Sequence, residues 1–283
     1  MTRATINGSA IEYEMLGSGR PLILTPGGRF GMDVPGLRPL AELLAREWQV
    51  ILWDRPNTGA SDFKFTGDSE SQMAADDLVG LLRHLDVGPA VVAGGSAGSR
   101  VSIIAAQRHP DVVQKLIVWM MSGGTFGTMF LAMNYLLPHI AEAWAAGMPA
   151  AAHVRDFGER IENHPRLAEQ LLSLDPDVLI PQLTTWLEAY IPAPENPLPG
   201  VHRDAIAAIK APTLIFRNGD GDIYHPVETS LAVHSLITGS ELVEPPWPRD
   251  SWLRTKERVA SGQGNLFDDW ALLAPQILDW LHR

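Results

Sequence analysis

The sequence predicts an α/β protein in which a mostly parallel central sheet carries helices on both of its faces. Three observations support this prediction: short apolar runs alternate with helical stretches, one long helical segment interrupts the alternation, and the alternation then resumes. Strands that alternate with helices of this length form β-α-β units, and right-handed crossovers place the helices on both faces of the sheet. A chain of 283 residues can build such a sheet as one domain.

The first part of the chain predicts a hairpin followed by alternating strands and helices. Segments 4–6 and 10–13 alternate in polarity around Asn7-Gly8, a dipeptide that favours the tight turns of hairpins. Continuous apolar runs then indicate strands that are buried on both faces of a parallel sheet. These strands are predicted at 21–25, 49–53, 90–93 and 116–120, and the helices between and after them at 37–47, 71–85 and 97–108.

A helical insertion divides this pattern. From residue 122 to about 205 the segment predicts helices near 129–146, 150–174 and 177–189, followed by a proline-rich passage. We expect a helical cap at 122–205, inserted into a core made of 1–121 and 206–283. The core resumes with strands at 213–216 and 241–243 and helices at 227–237 and 267–281, with an irregular insertion at 247–264.

The composition is that of an ordinary globular protein and limits its partners. Hydrophobic residues make up 46% of the chain, charged residues 19%, and the formal net charge is −11. An acidic chain repels phosphate backbones and anionic bilayers, so we expect a small-molecule substrate rather than nucleic acid or a membrane as the partner. The composition leaves the oligomeric state open.

The chain contains no cysteine, which excludes disulfides, a cysteine nucleophile and thiolate metal ligands. This usage fits a reducing cytoplasm, and we expect a cytoplasmic protein. The first fourteen residues lack the apolar stretch of a signal peptide, and nowhere do 18 uncharged apolar residues run together.

The motif Gly94-Gly95-Ser96-Ala97-Gly98 lies directly between a predicted strand and a predicted helix. This is the G-x-S-x-G pattern in the context of strand, sharp turn and helix that exposes a serine hydroxyl at the edge of a sheet. Ligands of open parallel sheets bind at that edge. The pattern therefore favours Ser96 as a nucleophile over a glycine-rich turn that only links two elements.

Here the chain resembles the α/β-hydrolase superfamily over nearly its whole length. The supporting motifs, in the superfamily's order, are the glycine loop Pro26-Gly27-Gly28, the loop 54–61, the turn at Ser96 and Gly219-Asp220-Gly221-Asp222. The resemblance implies an oxyanion hole formed by the backbone amides of Gly28 and Ala97. It also implies that Asp222 is the catalytic acid, with Asp220 as its rival.

The catalytic base is where the resemblance fails. The superfamily places a histidine after the last strand, but this chain has none between Gly239 and Leu281. His225 of the acid loop is our candidate for the base, although it lies only three positions after Asp222. The alternatives left open are His234, His282 and the cap residues His139, His153 and His164.

The cap is rich in apolar and aromatic residues, which predicts a largely apolar pocket and substrate. These residues are Phe126, Met129, Phe130, Met133, Tyr135, Leu136, Trp144, Trp186 and Tyr190. No phosphate-binding or dinucleotide-binding glycine motif follows a strand and no metal-ligand cluster is evident, so we expect no cofactor and no metal.

Three functions remain open from the sequence. The first is hydrolysis of an ester or related acyl bond through Ser96. The second keeps the fold but uses non-hydrolytic chemistry, such as that of a lyase or isomerase, because a base is missing. The third is a non-enzymatic protein that binds a small molecule.

Overall fold

An eight-stranded sheet forms the centre of the computed structural model, which describes residues 2–283. The strands are β1 (Thr2–Ile6), β2 (Ser9–Leu16), β3 (Pro21–Thr25), β4 (Gln49–Trp53), β5 (Ala90–Gly95), β6 (Val113–Trp119), β7 (Thr213–Phe216) and β8 (Glu241–Val243). Their order is β1-β2-β4-β3-β5-β6-β7-β8. The contacts of β2 with β1 and β4 are antiparallel, and every other contact is parallel.

The opening hairpin turns at the predicted dipeptide. Asn7 has a φ of 46° and Gly8 a φ of 84°, so both central residues adopt the positive φ that a type I′ turn requires. This turn matches the right-handed twist of the two strands, and β1 pairs with β2 from Thr2 opposite Tyr13 to Ile6 opposite Ser9.

Helices cover both faces of the sheet, as the alternating pattern predicts. The core helices are α1 (Leu37–Leu44), α2 (Glu70–His84), α3 (Ala97–Arg108), α11 (Val227–Leu236), α12 (Ser251–Ala260) and α13 (Ala274–His282). Leu78 of α2, Val101 of α3 and Val233 of α11 pack on one face, whereas Leu40 of α1 and Ile277 of α13 pack on the other. The expected architecture, a mostly parallel central sheet with helices on both faces, is thereby confirmed.

The segment between β6 and β7 is helical. It contains α4 (Gly124–Tyr135), α5 (Leu137–Ala146), α6 (Met148–Ala151), α7 (Arg155–Asn163), α8 (Arg166–Leu172), α9 (Pro176–Glu188) and α10 (Arg203–Ala207). Its own apolar cluster meets the core at the loop that follows β4, where the Phe63 ring lies 5.0 Å from Phe157 of α7. Phe65 of the same loop lies 5.7 Å from Trp186 of α9, so aromatic contacts join the two layers.

Two expectations for the last part of the chain need correction. Residues 247–264 do not form a wholly irregular insertion, because they contain α12, and the final helical stretch divides into a 3₁₀ helix at Asp268–Leu273 and α13. Proline in the first turn of α13 explains why this helix begins at 274, since proline fits that position without losing a hydrogen bond.

No helix in the described part of the chain is long and apolar enough to cross a membrane.

The turn between β5 and α3 depends on glycine because strand and helix approach closely. A Cβ atom on Gly94 would lie 2.5 Å from the carbonyl carbon of Gly98. A Cβ atom on Gly98 would overlap the carbonyl oxygen of Thr25 and lie 2.7 Å from that of Pro26. Both obstacles are backbone atoms, which cannot move aside as a side chain can.

We therefore expect Gly98→Ala to lower the free energy of unfolding by about 1–3 kcal/mol or more, because an overpacked position strains its surroundings. Gly158→Ala is the matched control. Its Cβ atom would meet nothing closer than the His153 carbonyl oxygen at 3.4 Å, and alanine inside a helix is favoured over glycine by about 0.5–1 kcal/mol. Guanidinium unfolding measures both variants, and equal midpoints would contradict the crowded turn.

Candidate active site

Ser96 lies on the strained turn that the motif predicts. Its φ of 54° and ψ of −119° are unusual for a residue with a side chain, and a conformation of this kind costs about 1–3 kcal/mol. The Ser96 amide donates to the Trp119 carbonyl oxygen at 3.1 Å, which ties the turn to the end of β6. The surrounding fold thus holds the serine in a geometry that its own backbone does not favour.

A chain of hydrogen bonds runs from Ser96 through His225 to Asp222. Ser96 Oγ lies 2.9 Å from His225 Nε2, and His225 Nδ1 lies 2.7 Å from Asp222 Oδ2. His225 is 5% exposed and Asp222 is 4% exposed, so water is largely excluded from both contacts. An ionised carboxylate can only accept, so Asp222 Oδ2 accepts a hydrogen bond from His225 Nδ1–H, and Nε2 is left free to accept from the serine hydroxyl.

A turn allows Asp222 and His225 to contact each other although they lie only three positions apart in the sequence. Asp222 Oδ1 accepts from the backbone amides of Tyr224 at 3.0 Å and His225 at 3.2 Å, which is the local bonding typical of an aspartate-initiated turn. One carboxylate oxygen therefore shapes the loop while the other contacts the imidazole. Pro226 then precedes α11 and limits the backbone after His225.

Asn218 fixes the position of this loop, a role that its residue type alone did not reveal. Its side-chain amide donates to the carbonyl oxygens of Met121 at 2.9 Å and Pro226 at 3.0 Å, and its side-chain oxygen accepts from the Met121 amide at 3.0 Å. Asn218 thereby joins the end of β6 to the loop after β7. In the sequence, only the position of Asn218 just after a predicted strand could have indicated this role.

The segment after the last strand contributes packing to the imidazole. Trp252 of α12 packs edge-on against His225, with ring centroids 5.6 Å apart and planes at 85°. This contact restricts rotation of the imidazole. Trp252 was not singled out from the sequence.

The alternative candidates for the acid and the base form contacts away from Ser96. Asp220 is 53% exposed at its side chain and pairs with Arg217 at 2.9 Å. His234 Nδ1 lies 2.8 Å from Ser240 Oγ, and His282 Nε2 lies 2.7 Å from Glu47. In the cap, His139 contacts Asp156, the His153 ring contacts the Pro149 carbonyl oxygen, and His164 ends α7.

The two amides expected to form an oxyanion hole line one pocket. Ala97 is the first residue of α3, so its amide has no acceptor within the helix. Gly28 has a φ of 49° and lies in the loop after β3, the strand beside β5. Arg55 Nη2 donates to the Gly28 carbonyl oxygen at 2.5 Å, which holds the glycine loop against the loop after β4.

The pocket contains charged residues that the cap composition did not predict. It has a volume of about 390 Å³, including its open part, and three arginines line it together with Glu70. Of the expected cap residues, only Tyr135 and Tyr190 reach it. Leu136 and Trp186 lie in the cap's own core, whereas Phe126, Met129, Met133 and Trp144 are exposed. Helical spacing identified apolar residues but could not say which of them face the pocket.

Metal binding would need a different arrangement. Across residues 2–283, no three histidine, aspartate or glutamate side chains group closely enough to hold a metal ion. The groups that surround Ser96 are an imidazole, a carboxylate and backbone amides, a set suited to proton transfer and to stabilising negative charge on a substrate oxygen.

Comparison with known proteins identifies the family. The family described as "alpha/beta hydrolase fold" matches residues 20–247, and the chain belongs to it. A relative named putative carbamate hydrolase RutD, from Caulobacter vibrioides, is 29% identical over 174 residues. That match covers 59% of this chain and 63% of the relative, so the chain spans less than two thirds of that relative's length.

A second relative and a solved structure extend the likeness. The Azorhizobium caulinodans protein of the same name is 26% identical over 249 residues, covering 84% of this chain and 86% of the relative. The structure of the enol-lactonase from Burkholderia xenovorans LB400 has a TM-score of 0.63 and 17% identity, and the match covers 100% of both chains. This structural likeness shows a shared fold.

The hydrogen-bonded chain predicts unequal effects for two neighbouring aspartates. Asp222→Asn places an amide donor beside Nδ1, which favours the imidazole tautomer with its proton on Nε2 and prevents it from accepting the serine proton. We expect the rate at which a fluorophosphonate modifies Ser96 to fall by about 10³–10⁴-fold. Asp220→Asn makes the same substitution at an exposed position and is expected to leave the modification rate within twofold of the wild-type value. Intact-protein mass spectrometry follows the adduct, and a reversed order would assign the acid to Asp220.

Proposed function

We propose that this protein hydrolyses an ester or a related acyl bond of a small molecule through a covalent intermediate on Ser96. The observation that carries the proposal is the 2.9 Å contact between Ser96 Oγ and His225 Nε2, continued by the 2.7 Å contact of His225 with Asp222. A serine hydroxyl is a weak nucleophile until a neighbouring base accepts its proton, and this arrangement supplies that base.

The first half of the reaction transfers the acyl group to the protein. Ser96 Oγ attacks the acyl carbonyl carbon while its proton moves to His225 Nε2, and the carbonyl oxygen becomes negatively charged. The amides of Ala97 and Gly28 donate to that oxygen, and Asp222 stabilises the positively charged imidazole. The carbon–oxygen bond to the leaving group then breaks, and His225 Nε2 returns the proton to the departing oxygen.

The second half releases the acid. A water molecule gives its proton to His225 Nε2 and attacks the acyl carbon, the same amides stabilise the oxyanion, and Ser96 Oγ leaves with the proton from the imidazole. One water is consumed, and one carboxylic acid and one alcohol are formed. Base catalysis of this kind contributes about 10²–10⁴-fold to the rate.

The names of the relatives support the same class of reaction. Two are named as carbamate hydrolases and the structural neighbour as an enol-lactonase, and all three names describe cleavage at a carbonyl carbon bonded to oxygen or nitrogen. The alternative of non-hydrolytic chemistry was based on a missing base. The His225 contact favours hydrolysis over that alternative and over a protein that only binds a ligand.

The proposal predicts an acyl intermediate and a specific loss of activity. The wild-type protein is expected to hydrolyse 4-nitrophenyl acetate, with a mass increase of one acetyl group on Ser96 in samples quenched early. Ser96→Ala is expected to lose both the turnover and the adduct. His225→Gln is expected to lower kcat/KM by at least about a hundredfold, because the hydroxyl loses its base.

His234→Gln is the matched control for this experiment. His234 lies on α11 and contacts Ser240 rather than Ser96, so its replacement is expected to leave kcat/KM unchanged. Full activity in His225→Gln, or an acetyl group attached elsewhere in the wild-type protein, would overturn the proposal.

A further inference from the structure

Three arginines surround the pocket that holds the proposed oxyanion amides. Arg29 follows the glycine loop, Arg55 follows β4, and Arg100 lies on the first turn of α3, four residues after Ser96. We call these residues the arginine cluster. Arginine is seldom buried unless it is paired, so a cluster of this kind in the pocket that Gly28 and Ala97 line calls for an explanation.

Arg100 is buried without a charged partner. It is 5% exposed; its Nε donates to Ser71 Oγ at 2.6 Å, and its Nη2 donates to the Tyr190 hydroxyl at 2.9 Å. Both acceptors are neutral, and the buried Nη1 atom has no hydrogen-bond partner among residues 2–283. The guanidinium is thus fixed in position by its neighbours but its charge is not neutralised by them.

Arg55 is also buried without a charged partner. It is 7% exposed and donates through Nη2 to the carbonyl oxygens of Gly28 at 2.5 Å and Gly27 at 3.4 Å. Its Nε atom is buried and has no partner within the described chain. These contacts hold the glycine loop in place but supply no negative charge.

The acidic groups nearby do not balance the cluster. Arg29 pairs with Glu70 at 3.1 Å and with Asp156 at 3.3 Å, so both carboxylates are engaged by a single arginine. Three guanidinium groups against two carboxylates leave one positive charge in excess. Among the ion pairs within residues 2–283, none joins Arg55 or Arg100 to a carboxylate.

Desolvation makes this excess charge unfavourable. Burial lowers the pKa of the Arg55 guanidinium to about 10, Glu70 opposes that shift, and the neighbouring Arg100 and Arg29 add to it. A carboxylate close to the cluster would relieve this repulsion and supply the missing acceptors. The amino end of α3, with Ala97 as its first residue, adds a further positive dipole at the same pocket.

We propose that the substrate carries a carboxylate, which Arg100 and Arg55 bind while the acyl carbonyl lies at the amides of Gly28 and Ala97. The planar guanidinium presents paired donors that match a carboxylate, and such charge-assisted bonds are strong where water is excluded. This inference deepens the proposed function and rests on it, since it assigns a substrate class to the same pocket. It replaces the apolar substrate that the sequence predicted.

Paired esters test the proposal on the wild-type protein. Monoethyl succinate and ethyl butyrate have the same acyl chain length but differ in a terminal carboxylate, and 4-acetoxybenzoate and 4-methylphenyl acetate place the same difference on the alcohol side. Proton release measures kcat/KM for all four esters. We expect one anionic ester to exceed its neutral partner by about ten- to a hundredfold, and the pair that shows this preference locates the carboxylate.

Variants of Arg100 test whether this residue causes the preference for the anionic ester. Arg100→Met is expected to lower the ratio of anionic to neutral kcat/KM by about ten- to a hundredfold, and Arg100→Lys to give an intermediate ratio. Arg108→Met is the matched control, because Arg108 lies at the other end of α3 and pairs with Asp76 on the surface. It is expected to leave the ratio unchanged. Circular dichroism establishes that each variant folds.

The outcomes separate this inference from the proposed function. Equal rates on both members of each ester pair, with Ser96-dependent hydrolysis intact, would overturn the carboxylate site and leave the proposed function standing. If the wild-type protein hydrolysed none of the esters, the proposed function would fail. Calorimetry with succinate, using succinamide as the neutral control, would then test the carboxylate site independently of hydrolysis. Succinate binding that Arg100→Met abolishes supports the site, and no succinate binding overturns it.

Discussion

The hydrogen bond between Asp222 and His225 is the interaction on which the rest of the proposed active site depends. A histidine three residues from its acid can reach that acid only if the backbone between them turns back on itself. Asp222 achieves this by using one carboxylate oxygen for the two amides of the turn and the other for the imidazole. Asp222 therefore couples the conformation of the loop to the orientation of the base.

This arrangement has consequences for the neighbouring strands. β7 is separated from β5 by β6, so the loop after β7 must reach back over the end of β6 to bring His225 to Ser96. Asn218 makes that reach possible by joining the loop to Met121 at the end of β6. The segment after β8 is then not needed to carry a histidine, and it forms α12, from which Trp252 packs against the imidazole.

The carboxyl ends of the parallel strands bring the remaining groups together. The loop after β3 provides Gly28, the loop after β4 provides Arg55, and α3 begins with Ala97 and carries Arg100. Binding at this edge is a general property of open parallel sheets. The unusual feature of this edge is its charge, because three arginines line the pocket together with Gly28 and Ala97.

Sequence patterns predicted the parts of the structure that depend on local rules. The bounds of β4, β7, β8 and α3 agree with the prediction to the residue, since buried runs, helical spacing and the turn motif at Ser96 are all local signals. The position of His225 was only a candidate, because the turn that folds it back depends on hydrogen bonds that spacing does not reveal. The arginines that line the pocket were not predicted, because burial of an arginine depends on which surfaces meet in the folded chain.

In the proposed active site, His225 is held with its proton on Nδ1 and with Nε2 free to accept from Ser96. Nitrogen-15 NMR of histidine-labelled protein, with the His225 signals assigned by their loss in His225→Gln, reports the tautomer directly. At a pH where the imidazole is neutral, we expect a protonated Nδ1 and an unprotonated Nε2. A neutral His225 with its proton on Nε2 would contradict it, because that nitrogen could not accept the proton of the Ser96 hydroxyl.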